Sequence, residues 1–160
     1  MTIKVGDKLP AATLRTIVDG AVTEVTTEDL FKGKTVALFA VPAAYTRTCS
    51  TKHLPGYVVN ADALKAKGVD TIVCMAVNDA FVMDAWGMDR NVGATVMMLG
   101  DGNADLTRAL GLDKDSTANG MGIRSQRFSM VVEDGVLKSL DIDPPGQFGA
   151  TSAEAMLDRL

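Results

Sequence analysis

TVALFAVPAAYTRTCSTKHLPGY, residues 35 to 57, changes character twice within its length. Val36 to Pro42 is an apolar run, too short to cross a membrane and rich enough in β-formers for a central strand, and Pro42 lacks the amide donor that the strand would need to continue. A loop begins there. Thr46 and Thr48 are capping-type residues just ahead of Ser50, which puts Cys49 in the first turn of a helix. Unpaired backbone amides and the aligned peptide dipoles at that position favour negative charge, so a sulfur held there suits the nucleophilic thiolate form. The polar neighbours Thr46, Arg47, Thr48 and Ser50 argue against a sulfur sealed in hydrocarbon.

On the N-terminal side, Asp19-Gly20 between ATLRTIV and AVTEVT predicts a hairpin. Thr27 is expected to cap a short helical turn through Leu30 and Phe31, which Gly33 ends. On the C-terminal side, Pro55-Gly56 should kink or break the helix before it resumes from Tyr57 to Lys67 and stops at Gly68. The Cys49 turn would then be partly detached and free to unwind. Asp70 to Val77 predicts a second buried strand. Asn78 is expected to cap a helix over Asp79 to Arg90, with Phe81, Ala85, Met88 and Val82, Trp86 facing the core. A strand over Thr95 to Leu99 and a short helix over Ala104 to Leu110 follow, whereas Asp113 to Gly122 has no periodicity and reads as an exposed loop. Phe128 to Val132 and Val136 to Leu140, joined by Glu133-Asp134-Gly135, predict a second hairpin at the sheet edge. After Pro144-Pro145-Gly146, Thr151-x-x-Glu154 reads as a capping box for a last helix. The pattern is that of an α/β protein, a mixed central sheet flanked by helices with an N-terminal hairpin.

With 160 residues the chain fits one domain, 1–160. A net charge of -4 with scattered Lys and Arg argues against a nucleic-acid partner, and the absence of an eighteen-residue apolar run argues against a membrane span. MTIKVGDKLP contains neither an apolar segment nor an Arg- and Ser-rich amphipathic one, so a cytoplasmic location is expected. Two cysteines in such a chain point to redox chemistry or to packing rather than to a disulfide scaffold. Cys74, among apolar neighbours in TIVCMAV, reads as a buried packing thiol, with a resolving role as the other option. His53, one helical turn after Cys49, makes with it only half of a zinc site and is expected to be structural or near a reductant surface, with no metal bound.

Pro42-x3-Thr46-x2-Cys49, followed by STKHLPGY, by VNDAFVMDAW at Val77 to Trp86 and by RFSMVVEDG at Arg127 to Gly135, resembles the peroxiredoxins of the type II, or peroxiredoxin-5-like, group. The likeness runs from about Lys4 to Gly135. It departs from that group's PGAFTPTC loop at Ala43, Tyr45 and Arg47, and Arg47 puts a fixed positive charge two residues from the sulfur.

The resemblance implies a thioredoxin-like fold and a thiol peroxidase acting on hydrogen peroxide and small organic hydroperoxides, without metal, flavin or haem. Cys49 would be the peroxidatic nucleophile and become a sulfenic acid. The Thr46 hydroxyl could accept from the peroxide and donate to it, and Pro42 would shield the sulfur, although Thr46 as a mere cap and Pro42 as a mere strand terminator remain alternatives. An arginine can hold the thiolate and the breaking O–O bond together. The resemblance picks Arg127, with Arg124 as the other candidate. Some type II members resolve through a C-terminal cysteine, and Phe148 to Leu160 contains none, so glutaredoxin, glutathione or thioredoxin is the implied reductant. A homodimer is also implied. Two other readings are a redox sensor or holdase that uses Cys49 as a switch, and a thiol-disulfide oxidoreductase, against which the lack of Cys-x-x-Cys weighs.

Overall fold

Asp19 and Gly20 take positive φ, 50° and 79°, the geometry of a two-residue hairpin turn, and join β1 (Thr13–Val18) to β2 (Ala21–Thr26) as the sequence predicts. The computed structural model describes all residues, Met1–Leu160. Helix α1 (Thr27–Phe31) is capped by Thr26, whose hydroxyl oxygen accepts the Asp29 amide, and not by Thr27. Thr27 is drawn inward instead, where its hydroxyl donates to the Pro10 carbonyl and accepts the Ala12 amide.

The apolar run forms β3 (Thr35–Ala40), and a five-residue π-helical turn, Cys49–His53, opens the helical segment after it. Helices α2 (Leu54–Val59) and α3 (Ala61–Ala66) continue the segment. Then come β4 (Thr71–Ala76), α4 (Ala80–Asp89), β5 (Met97–Gly100) and α5 (Asp105–Ala109). The chain ends with β6 (Asp113–Asp115), β7 (Ile123–Ser125), β8 (Arg127–Glu133), β9 (Val136–Asp143) and α6 (Ala153–Arg159).

Seven strands form one mixed sheet in the order β2-β1-β5-β4-β3-β8-β9, parallel at β3, β4 and β5 and antiparallel towards both sides. Alternation along the strands divides the core. Ala37, Phe39, Ile72, Cys74 and Val131 meet α2, α3, α4 and α6, while Val36, Leu38, Val73, Met75 and Met130 meet α1 and α5.

Five further expectations about the fold need correction. Strand β8 is not at an edge, because β9 pairs outside it. The residues read as a loop, 113–122, contribute to a ribbon of β6 and β7, too short for a period-2 pattern to register. The break expected at Pro55 falls at Asn60 (φ −95°, ψ 8°), since Pro55 sits in the first turn of α2, just after the π-helical turn in which the Leu54 amide reaches the Cys49 carbonyl. The Cys49 turn is therefore continuous with α2. Helix α4 is apolar nearly all round, and the sequence pattern is right only in part: Trp86 is buried and Val82 packs on the core as expected, but Ala80, Met83 and Gly87 complete the buried face, whereas Phe81 and Met88 are 66% and 65% exposed. Close packing decides this, because a Cβ on Gly87 would come within 2.7 Å of Met98. Finally, Ser152 caps α6 through its hydroxyl oxygen, and the capping-box glutamate, Glu154, instead accepts from the Asn60 side chain.

Candidate active site

Strand β3 delivers the chain to the sheet's C-terminal edge, and Pro42 turns it into a loop that is pinned from two sides. The Ala44 amide donates to Asn78 Oδ1 at 3.0 Å, and the Tyr45 hydroxyl donates to Asp89 at 2.6 Å, which raises the Tyr45 pKa. Tyr45 has φ 65°, a conformation that side chains other than glycine rarely adopt, and these anchors help to hold it there. Asn78 is thus a loop anchor, and the cap of α4 expected of it is Asp79, which accepts the Val82 amide.

Helical backbone begins at Arg47, so Cys49 lies in the first turn, as the sequence suggests. It is completely buried, against the expectation from its polar neighbours. Arg47 is exposed and Thr48 half-buried, while Cys49 and Ser50 point inward beside Phe39, Tyr57 and Trp86, and Trp86 Nε1 donates to Ser50 Oγ at 3.0 Å.

Arg127 opens β8, and the alternation that sends Phe128 to the far face turns Arg127 towards the helix. Its Nη2 donates to the Cys49 sulfur at 3.1 Å, and its Nη1 donates to His53 Nδ1 at 2.7 Å. The guanidinium also lies 5.7 Å from the centre of the Phe148 ring. Because Nδ1 accepts, Nε2 carries the imidazole proton, which it donates to the Thr151 carbonyl at 3.1 Å. Burial, reinforced by the Arg127 charge, lowers the His53 pKa from 6.5 to about 3, so the ring is neutral at neutral pH. Both ring nitrogens are engaged, which leaves neither for a metal ion.

The Thr151 carbonyl also accepts from the Tyr57 hydroxyl at 2.8 Å, and the turn that presents it is organised by Asp143. That carboxylate accepts from the amides of Gly149, Ala150 and Thr151 and from the Thr151 hydroxyl. Burial alone would raise its pKa, but these hydrogen bonds outweigh the effect and hold it below the usual carboxylate range.

Thr46, half-buried, donates its hydroxyl proton to the Ala43 carbonyl at 2.9 Å. Its lone pairs remain to accept from a substrate hydroxyl, whereas the sequence allowed it both roles. Pro42, Thr48 and Arg127 line a cavity of about 110 Å³. Arg124 is elsewhere: it donates to the Met121 and Val77 carbonyls and does not take the place beside the sulfur. The exposed Arg47 makes no hydrogen bond to Cys49, whose neighbouring cation is Arg127. Cys74 lies in β4 in the same apolar cluster as Cys49; it is completely buried, and burial together with nearby Cys49 pushes its thiol pKa well up. Both cysteines are free. Sequence reasoning noticed that His53 is one turn from Cys49 but could not see Arg127 between them, and nothing in the sequence marked Phe148 or Asp143.

A buried sulfur that accepts from a guanidinium, whose other donor is fixed by a neutral imidazole, on a sheet-and-helix scaffold without a second sulfur in Cys-x-x-Cys spacing, fits a thiol-based redox protein. The redoxin family model matches residues 4–157. Peroxiredoxin-2E-2, chloroplastic, of Oryza sativa subsp. japonica is 50% identical over 99% of this chain and 73% of its own length. Peroxiredoxin-2B of Arabidopsis thaliana is 39% identical over 99% and 98%. Reduced Prx3 of Vibrio vulnificus, solved in complex with hydrogen peroxide, superposes with a TM-score of 0.95 at 47% identity, covering 99% of each chain. The chain belongs to the redoxin family and, within it, to the peroxiredoxins of the peroxiredoxin-2 group. Its fold is thioredoxin-like and its activity is that of a thiol-dependent peroxidase; the sensor and disulfide-oxidoreductase readings gain no support.

Proposed function

We propose that Cys49 is the peroxidatic nucleophile and that Arg127, Thr46 and Pro42 complete its site. The contact between Arg127 Nη2 and the sulfur, at 3.1 Å, carries this reading, because it places a permanent charge where both the thiolate and the transition state need it. The thiolate attacks the terminal peroxide oxygen. An S–O bond forms as the O–O bond breaks, the terminal oxygen carries its hydrogen to the sulfur as a sulfenic acid, and the departing alkoxide or hydroxide takes up the proton that the Cys49 thiol gave to solvent, leaving as alcohol or water. Thr46 accepts from the peroxide hydroxyl, Arg127 meets the charge that develops on the departing oxygen, and Pro42 limits water. Hydrogen peroxide and small organic hydroperoxides suit a sulfur with no exposed surface.

The recycling thiol is external: glutaredoxin, glutathione or thioredoxin. Burial of Cys74 and its raised pKa favour this over resolution within the chain. The exposed Arg47 offers a positive rim to an acidic protein reductant. Two free thiols suit a reducing compartment such as the cytoplasm. The exposed stripe of Phe81 and Met88 on α4 favours a homodimer through that face, and Phe81→Glu should shift the sedimentation coefficient to that of a monomer.

Intact mass after one equivalent of peroxide, with a sulfenic-acid trap, tests the central assignment. One adduct mapping to Cys49 is the expected result. An adduct at Cys74 alone, or peroxide consumption by Cys49→Ser, would refute it.

A further inference from the structure

The ribbon of β6 and β7 brings a second cation to the site. Lys114 stands directly opposite Arg124 across the ribbon, so two positive side chains share one face, an arrangement that is destabilising without a counter-charge. Arg124 spends its donors on the Met121 and Val77 carbonyls. Lys114 is half-buried and takes part in neither of the two ion pairs of the chain, Arg15–Glu24 and Arg159–Asp141. It lines the same cavity of about 110 Å³ as Arg127 and Thr48, the residue that precedes Cys49. The one acid on that wall, Asp143, already has both oxygens occupied by the Thr151 hydroxyl and the amides of Gly149, Ala150 and Thr151.

We propose that this cavity binds a carboxylate of the small thiol that reduces oxidised Cys49, with Lys114 as its counter-charge. The inference rests on the assignment of Cys49 as the peroxidatic residue. Drug-sized ligands fill roughly 300 to 1,000 Å³, so a space of this size holds one end of such a thiol, next to Thr48 and to the Arg127 guanidinium that contacts the Cys49 sulfur. The wall sets Thr48, Gln126 and Gln147 beside the two cations, and its apolar surface comes from the short rings of Pro42, Pro144 and Pro145, with no long aliphatic or aromatic side chain, which suits a polar thiol better than a fatty-acyl hydroperoxide. In the reaction, the thiol sulfur bonds to the sulfenic sulfur and the S–O bond breaks. Hydroxide leaves with the thiol's proton as water, giving a mixed disulfide. A second thiol then displaces Cys49 and departs as the small-molecule disulfide.

Glutathione and its glycyl ethyl ester carry the same sulfur and differ by one carboxylate, so their ratio of kcat/KM with hydrogen peroxide reads the site. The wild-type ratio should favour glutathione by about threefold or more and shrink as salt is added. Lys114→Gln should bring it near one, and Lys114→Arg should restore it. S-methylglutathione, which cannot react, provides a binding readout independent of turnover: its affinity by NMR titration should fall severalfold in Lys114→Gln. A wild-type ratio of one, an equal loss with both thiols, or S-methylglutathione binding that ignores the substitution would overturn the proposal. So would a Lys114-dependent preference for a carboxylate-bearing hydroperoxide without any thiol preference. Peroxide turnover by Cys49→Ser would instead overturn the assignment beneath it, while the S-methylglutathione result would still report on Lys114.

Discussion

Arg127 Nη1 lies 2.7 Å from His53 Nδ1, so a permanent cation is held in place by a neutral ring that can only accept from it. A carboxylate in that position would compete with the Cys49 sulfur for the guanidinium charge. A neutral imidazole orients the fork and leaves its charge to the sulfur. The imidazole is held in turn by the Thr151 carbonyl and by the rings of Phe39 and Phe148, with centroids 4.8 Å and 5.1 Å away.

Arg127→Lys keeps the charge and loses the fork, because an ammonium cannot reproduce the planar pair of contacts to Cys49 and His53. Peroxidase kcat/KM should fall about 10²- to 10³-fold, the usual cost of removing one donor aimed at developing negative charge. Stopped-flow fluorescence of Trp86, whose indole bonds to the residue after Cys49, can follow the oxidation.

His53→Phe would leave one guanidinium donor unpaired and should lower kcat/KM about tenfold, in line with a lost hydrogen bond to a charged group worth about 1.5 kcal/mol. His53→Gln offers a neutral acceptor and should recover part of the loss. Measuring both variants across pH 5 to 9 separates a charge effect from a positional one, since neither replacement titrates there.

Thr46→Val removes the substrate-facing acceptor together with the bond to the Ala43 carbonyl, whereas Thr46→Ser keeps both. The valine variant should lose about 10²-fold or more in rate and the serine variant less than about tenfold. Single-turnover oxidation with hydrogen peroxide gives the comparison, and equal losses would mean that the hydroxyl serves only the loop.

Acid should unfold the protein through His53. Its folded pKa, about 3, lies below the ordinary 6.5, so the unfolded chain binds the extra proton first as pH falls. Stability is undiminished above pH 6.5 and is lost between 6.5 and about 3 at up to roughly 1.4 kcal/mol per pH unit. Asp143, also held below its ordinary pKa, adds loss in the same direction at the acid end. Urea titrations at pH 7, 6 and 5 should show the decline, and His53→Gln should flatten it.

Cys74→Ser should retain peroxide turnover with an external thiol, and Cys74 in the native protein should react with an aromatic disulfide reagent only on unfolding. Loss of turnover in a folded variant, read by circular dichroism, would restore the resolving role to Cys74.

The hairpin at Asp19-Gly20, the strand that ends before Pro42 and the glutamate-aspartate-glycine turn into β9 all follow from local chemistry: positive φ, a missing amide and alternation; Cys49 lies in a first helical turn as expected, although neither Thr46 nor Thr48 caps it through its side chain. Such signals act within a few residues and are therefore written along the chain. The neutral state of His53, the choice of Arg127 over Arg124, the burial of Cys49, the inward stripe of α4 and the cation at Lys114 depend on groups from distant parts of the chain, as with Arg127 and Cys49, 78 residues apart, or on competition between equally apolar faces. Those were settled only when the sheet placed β8 beside β3 and the turn after β9 closed over the helix, because desolvation and the reach of a guanidinium are properties of neighbours in space.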